Sequence, residues 1–162
     1  MKKENWQLDT KYLALVDDIL SNEQFKKLDN YIQHHNSTRM MHCISVSYAS
    51  YQIAEKLHLD VKSIARAGLL HDLFYYDWRE TKFNLGSHAF MHPRIAVRNA
   101  EKITSLNEKE KDIILKHMWG FTLARPKYAE SYIVSFVDDY EAVSEYCKSL
   151  MKKPLVKKIL RR

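Results

Sequence analysis

Glycine and proline are scarce, with three of each in 162 residues. Tight β-hairpins draw heavily on glycine, and Leu, Lys, Glu, Ala and Ile are abundant, so the composition argues against a β-rich protein and for an all-α one. Cysteine is nearly absent: Cys43 and Cys147 are too few for a disulfide framework. No apolar run approaches the roughly 20 residues of a membrane-spanning helix, and the polar start MKKENWQLD lacks the apolar stretch of a secretory signal. The cytoplasm is the expected compartment, with no membrane partner. Acidic residues are in deficit, giving a formal charge of +6, but much of the excess sits in the terminal MKKPLVKKILRR, which has six basic residues and no acidic one. A solvated tail accounts for that segment, so charge is only weak support for an anionic partner and nucleic acid is an unlikely one.

At 162 residues the chain is long enough to bury a core without disulfides or a structural metal, so any metal would serve function. There is no internal repeat, low-complexity segment or linker. The expected organisation is one helical domain over 1–162, with a core at about 38–150, N-terminal helices in 1–37 packed on it, and a basic tail at 151–162.

Hydrophobic spacing locates the helices. Tyr12, Leu13, Val16, Ile19 and Leu20 form one stripe, and Phe25, Leu28 and Ile32 a second, with Ser21 and Gln24 as a capping-box signature between them. His34 and His35, next to Asn36, read as a polar helix end. A longer helix is expected from near Thr38 to Leu57, with His42, Val46, Ala49 and Ile53 on its buried face. Asp60 should cap the next, on which Ile64, Gly68 and His71 share a face and Gly68 permits close backbone approach. Residues 74–91 lack a helical period and read as a loop with aromatic anchors that could lid a pocket. Pro93 places a helix start at His92, and Asn107 with Glu110 starts another whose inward positions include Ile113, Ile114 and His117. After the loop WGFTLARPKY, a long last helix from about Ala129 carries Val134, Asp138 and Ala142 on one face.

The chemistry concentrates at the ends of these patterns. His71-Asp72 closes the apolar run IARAGLLHDLF, His42 precedes it, Asp138 follows on the inward stripe IVSFVDDYEAV, and His92 and His117 lie between. A single histidine on an apolar helical face is more often a hydrogen-bonded core residue than a ligand. Six imidazole and carboxylate groups together are the donor set of a borderline divalent metal, and an inward aspartate is costly to bury without a cation or strong donors.

These residues resemble the signature of the HD-domain metal-dependent phosphohydrolases: His42, then His71-Asp72 within AGLLHD, the HPRIAV and ILKHMW segments, and Asp138 within SFVDDYEAVSE. The resemblance covers Met41 to about Tyr146. It implies an all-α bundle of about six to eight helices around a metal centre. It further implies one metal held by His42, His71, Asp72 and Asp138, and a second by Asp72, His92 and His117, with Asp72 bridging. Iron, manganese, zinc, cobalt or nickel would suit such donors. The implied activity is hydrolysis of a phosphate ester or phosphoanhydride by metal-activated water that Asp72 orients. Two departures stand out. Asp139 occupies a position where many relatives have lysine, and HDLFYYDWRE lacks the lysine that often follows the HD pair. Arg79 or Lys82 could supply that cation, and Arg94 is a further candidate for the phosphate.

His88 is either a neighbour of the ligands or substrate, or a plain loop histidine. Phe74, Tyr75, Tyr76, Trp78, Trp119 and Phe121 either anchor their loops or line a pocket as a stacking wall, which would favour a small anionic nucleotide as the substrate. The alternatives to an enzyme are a catalytically inactive metal-binding HD domain acting as a nucleotide sensor or interaction module, and a basic helical nucleic-acid binder with structural histidines.

Overall fold

The computed structural model describes residues 6–34, 37–84 and 86–152, with side chains described through Cys147 apart from that of His34. Among these, seven α-helices and one two-stranded sheet form an all-α architecture: α1 (Thr10–Leu20), α2 (Glu23–Lys26), β1 (Ile32–His34), β2 (Ser37–Thr38), α3 (Arg39–Lys56), α4 (Val61–Leu70), α5 (His88–Ala100), α6 (Glu108–Lys116) and α7 (Ala129–Lys152). None of these helices is long and apolar enough to cross a membrane. The basic tail read at 151–162 falls almost entirely outside the described residues.

Helix α3 is the spine, packed against α4 and α7, while α6 bridges α4, α5 and α7 and α1 covers α4. The core between them is built from Tyr12, Val16, Val46, Ala49, Ile64, Leu69, Leu70, Ile113, Ile114 and Val134, all buried. Helix α4 is buried on almost every side from Ser63 to Leu70, and its glycine is the reason it can approach α3 so closely. A Cβ built on Gly68 would stand 2.7 Å from the Cα of Ser47, which is backbone and cannot turn aside.

Caps set the helix starts where polar signals placed them. Thr38 Oγ1 accepts from Met41 N, Asp60 accepts from Ser63 N, and Asn107 and Glu110 form a reciprocal capping box. Three boundaries differ from the sequence reading. Asn22, not Ser21, caps α2, accepting from Gln24 N at 2.8 Å, while Ser21 closes α1 by donating to the Asp17 carbonyl. The second stripe ends early: a 3-10 turn over Lys27–Asn30 gives way to β1, so Ile32 is a strand residue and His34 is no helix end, with His35 and Asn36 outside the described residues. Antiparallel pairing with β2 and a bond from Arg39 N to the Tyr31 carbonyl draw this stretch out of the helix. Helix α5 begins at His88 rather than His92, behind Ser87, so Pro93 is its sixth residue. Proline lacks the N–H that would bond Ala89 there. The extra turn is held by bonds from Phe90 and Met91 to the Ser87 carbonyl, and it brings the His88 carbonyl under the His92 ring.

Candidate metal centre

Three of the histidines are aimed by one local device. His71 and His117 are the C-cap residues of α4 and α6, and the Nδ1 of each lies 2.8 Å from the carbonyl three residues back, Gly68 and Ile114 respectively. His92, inside α5, meets the His88 carbonyl at 2.9 Å in the same way. A carbonyl can only accept, so each Nδ1 carries the proton and donates it. At His71 and His117 this also satisfies a carbonyl at a helix C-terminus, and in all three residues it leaves Nε2 as the nitrogen that could serve a metal, pointing into the bundle.

The six sequence candidates come together. His42, from α3, has Nε2 2.8 Å from Asp138 Oδ1 on α7, and His71 Nε2 is 3.5 Å from the same oxygen. Asp72 reaches both ways: Oδ2 is 3.9 Å from His71 Nε2, while Oδ1 is 3.3 Å from His92 Nε2 and 3.6 Å from His117 Nε2. Two groups able to hold a metal result, His42–His71–Asp72 and Asp72–His92–His117, with Asp72 shared and all five residues buried. Asp138, 13% exposed, borders the first group, and Asp139, exposed on α7, does not join it.

Electrostatics bind the cluster tightly. Burial would raise the Asp72 and Asp138 carboxyls, but the facing histidines hold both well below the ordinary carboxylate range. Burial pulls His71 down, yet the Asp72 and Asp138 carboxylates outweigh it and lift this imidazole to about 9. His117 goes the other way, to about 3, from burial and the neighbouring His92 and His71. The donor set fits a borderline divalent cation on two observations. The buried His71 Nε2 has no hydrogen-bond partner. The Nε2 atoms of His92 and His117 face each other at 2.7 Å, although both rings already donate through Nδ1. A shared proton or a cation must sit between two such lone pairs.

The other candidates fall around this centre. His88 stacks on His92 with centroids 4.4 Å apart, and Tyr76, Trp78 and Phe83 contact its ring. Burial and His92 lower its imidazole to about 4. Phe74 is a core ring and Tyr75 donates to the Gln24 carbonyl, so these two anchor their loop, whereas Phe121 is 71% exposed. Lys82 is exposed, Arg79 bonds the Gln33 carbonyl, and Arg94 lies over Phe90. Cys43 is fully buried, and burial pushes its thiol up, as expected of a packing residue.

Two residues of the site escaped the sequence reading. Gln33 on β1 donates through Nε2 to Asp72 Oδ2, and the fully buried Arg39 donates through Nε to Gln33 Oε1 at 2.7 Å. The Arg39 guanidinium also bonds the Phe74 and Tyr76 carbonyls and lies 3.6 Å over the Phe74 ring. A cation in the first turn of a helix runs against the helix dipole, which was a legible hint that Arg39 serves something else. Gln33 carried no comparable signal.

Comparison with known proteins agrees with this geometry. A model of the HD domain matches residues 39–143, more than half of the chain. No curated protein and no solved structure matches it.

Proposed function

The chain belongs to the HD-domain family, and from that premise we propose that it is a metal-dependent phosphohydrolase that cleaves a phosphate ester or phosphoanhydride of a nucleotide. The observation that carries this reading is the sharing of Asp72 between two buried ligand groups, each completed by two histidines. His42, His71, Asp72 and Asp138 would hold one divalent cation and Asp72, His92 and His117 a second, drawn from iron, manganese, zinc, cobalt or nickel. Such a pair supplies Lewis-acid charge to a phosphoryl oxygen and acidifies the attacking water.

The chain's own residues do the rest. The Nδ1–H groups of His71, His92 and His117 are committed to carbonyls, which fixes the rings and keeps each Nε2 available without rearrangement. Asp72, held as a carboxylate between the two groups, serves to orient the water rather than to act as a free base. Trp78 and Phe83 lie near-parallel to the His88 ring, with Tyr76 edge-on to it, and half-buried aromatic rings of this kind beside His92 would suit stacking on a nucleobase. Arg79, which bonds the Gln33 carbonyl, and Arg94, which lies over Phe90, are the cations proposed for the phosphate. Two free cysteines and the absence of a spanning helix among the described residues suit a cytoplasmic enzyme.

The test begins with elemental analysis of protein purified without chelator, followed by phosphate release from nucleotides and simple phosphate esters. About two equivalents of metal and turnover that disappears in Asp72→Ala and Asp138→Ala support the proposal, and His117→Ala should retain one metal of the two. Metal uptake with nucleotide binding but no turnover would instead identify a sensor domain. No uptake after incubation with manganese or iron would overturn the metal reading altogether.

A further inference from the structure

A chain of two hydrogen bonds reaches Asp72 from outside the ligand set. Arg39 has no acceptor atoms, so the Gln33 atom 2.7 Å from its Nε is the carbonyl oxygen. The orientation of the Gln33 amide is thereby fixed, and its NH2 group must face Asp72 Oδ2, to which it donates. Arg39 is itself immobilised by the Phe74 and Tyr76 carbonyls and by the Phe74 ring. Gln33 is only 7% exposed, and it sits on a short strand paired with β2, which runs directly into α3.

The consequence falls on the carboxylate plane. Oδ2 has two lone-pair directions: one is taken by Gln33 and the other is left for the His42–His71 side, while Oδ1 faces His92 and His117. Rotation about the Cβ–Cγ bond of Asp72 would break the Gln33 bond and turn both oxygens away from that arrangement. We propose that Gln33, oriented by Arg39, is a positioning residue that locks the Asp72 carboxylate in the plane that lets it bridge two metals instead of chelating one. This inference rests on the metal reading above and adds to it a residue outside the ligand set. Partners of this kind are worth roughly 10- to 100-fold in metal affinity.

The test uses manganese(II) and the full chain. Wild type should take up two ions whose electron paramagnetic resonance spectrum shows exchange coupling, since coupling requires a bridging ligand. Gln33→Met keeps the volume and loses the donor, and Gln33→Asn keeps the amide but is too short to span Arg39 and Asp72. In both, the second manganese should bind about 10- to 100-fold more weakly and the coupled signal should give way to that of isolated ions. The metal-free urea midpoint shows whether each variant folds. Should either fail, the Gln33 side-chain amide protons of the wild type loaded with zinc provide the second measurement. Slow exchange with solvent supports the lock, and fast exchange refutes it. A wild type that binds two coupled manganese ions, with both variants indistinguishable from it, refutes the role of Gln33 alone. A wild type that binds none refutes the metal reading beneath it.

Discussion

Gly68→Ala sets two effects of opposite sign against each other. Alanine is the better helix former, and in the middle of α4 it gains about 1 kcal/mol over glycine. Against this, its Cβ would lie 2.7 Å from the Ser47 Cα, 3.2 Å from the Ser47 Cβ and 3.3 Å from the Ser47 N. Carbon atoms rest about 3.5–4.0 Å apart, so α3 and α4 must separate by roughly 1 Å, and overpacking of this kind costs about 1–3 kcal/mol. The upper part of that range applies, because the obstacle is backbone and α4 is buried on nearly all sides. A net loss of about 1–2 kcal/mol is expected, read as a lower urea midpoint at unchanged slope. The separation also matters for the site, since α3 carries His42 and α4 ends at His71, whose Nδ1 bonds the Gly68 carbonyl itself. Metal affinity should therefore fall along with stability. Adding Ser47→Gly should not rescue either quantity, because it removes the Cβ and leaves the Cα in place. A variant as stable as wild type or more so, with unchanged metal affinity, would refute the close-approach argument.

Two further perturbations address the site's protonation and the helix starts. In metal-free protein, the raised His71 imidazole contributes stability that is complete below about 6.5 and lost as pH rises through about 9, whereas the lowered His117 subtracts stability as pH falls from about 6.5 towards 3. Urea midpoints of the metal-free chain should thus peak near pH 6.5 and fall on both sides, and a midpoint that climbs steadily to pH 9 would contradict the assignment. Asn107→Ala removes one half of the capping box of α6 and should cost about 1 kcal/mol in the same assay while leaving metal stoichiometry unchanged.

What the sequence made legible follows from how local the cause is. The period of α3 and α4, the start of α3 near Thr38, the Asp60 cap of α4 and the capping box of α6 are decided within a few residues, and all were readable. The same holds for the clustering of the candidate residues, since His71 and His117 are chain positions where a helical stripe ends and a ring can turn back on its own last carbonyls. Helix α5 was misjudged because a proline is an ordinary first-turn residue, and the gain that extends the helix backwards, the His92 bond to the His88 carbonyl, is tied to the site. Gln33 was invisible for a stronger reason. Its strand exists only through pairing with β2, and its importance only through a carboxylate 39 residues away.

Under the proposed function, charge explains why a site built this way would suit phosphate only when two cations are present. The proposed ligand set contains two carboxylates, Asp72 and Asp138, and four imidazoles that would be neutral when they coordinate. One divalent cation would bring the ligand set to formal neutrality and leave only the Arg39 guanidinium, buried behind Asp72, to attract a phosphate dianion. Two would leave it at a formal charge of +2, with the Arg39 guanidinium buried behind Asp72 adding to the potential. The chain's overall charge of +6 assists only weakly, because exposed cations are screened within about 8–10 Å at physiological salt. The attraction must come from the centre itself. On this argument the sharing of Asp72 is central to the proposed function, because a second cation held there without adding another carboxylate is what turns a neutral cluster into an anion-binding one.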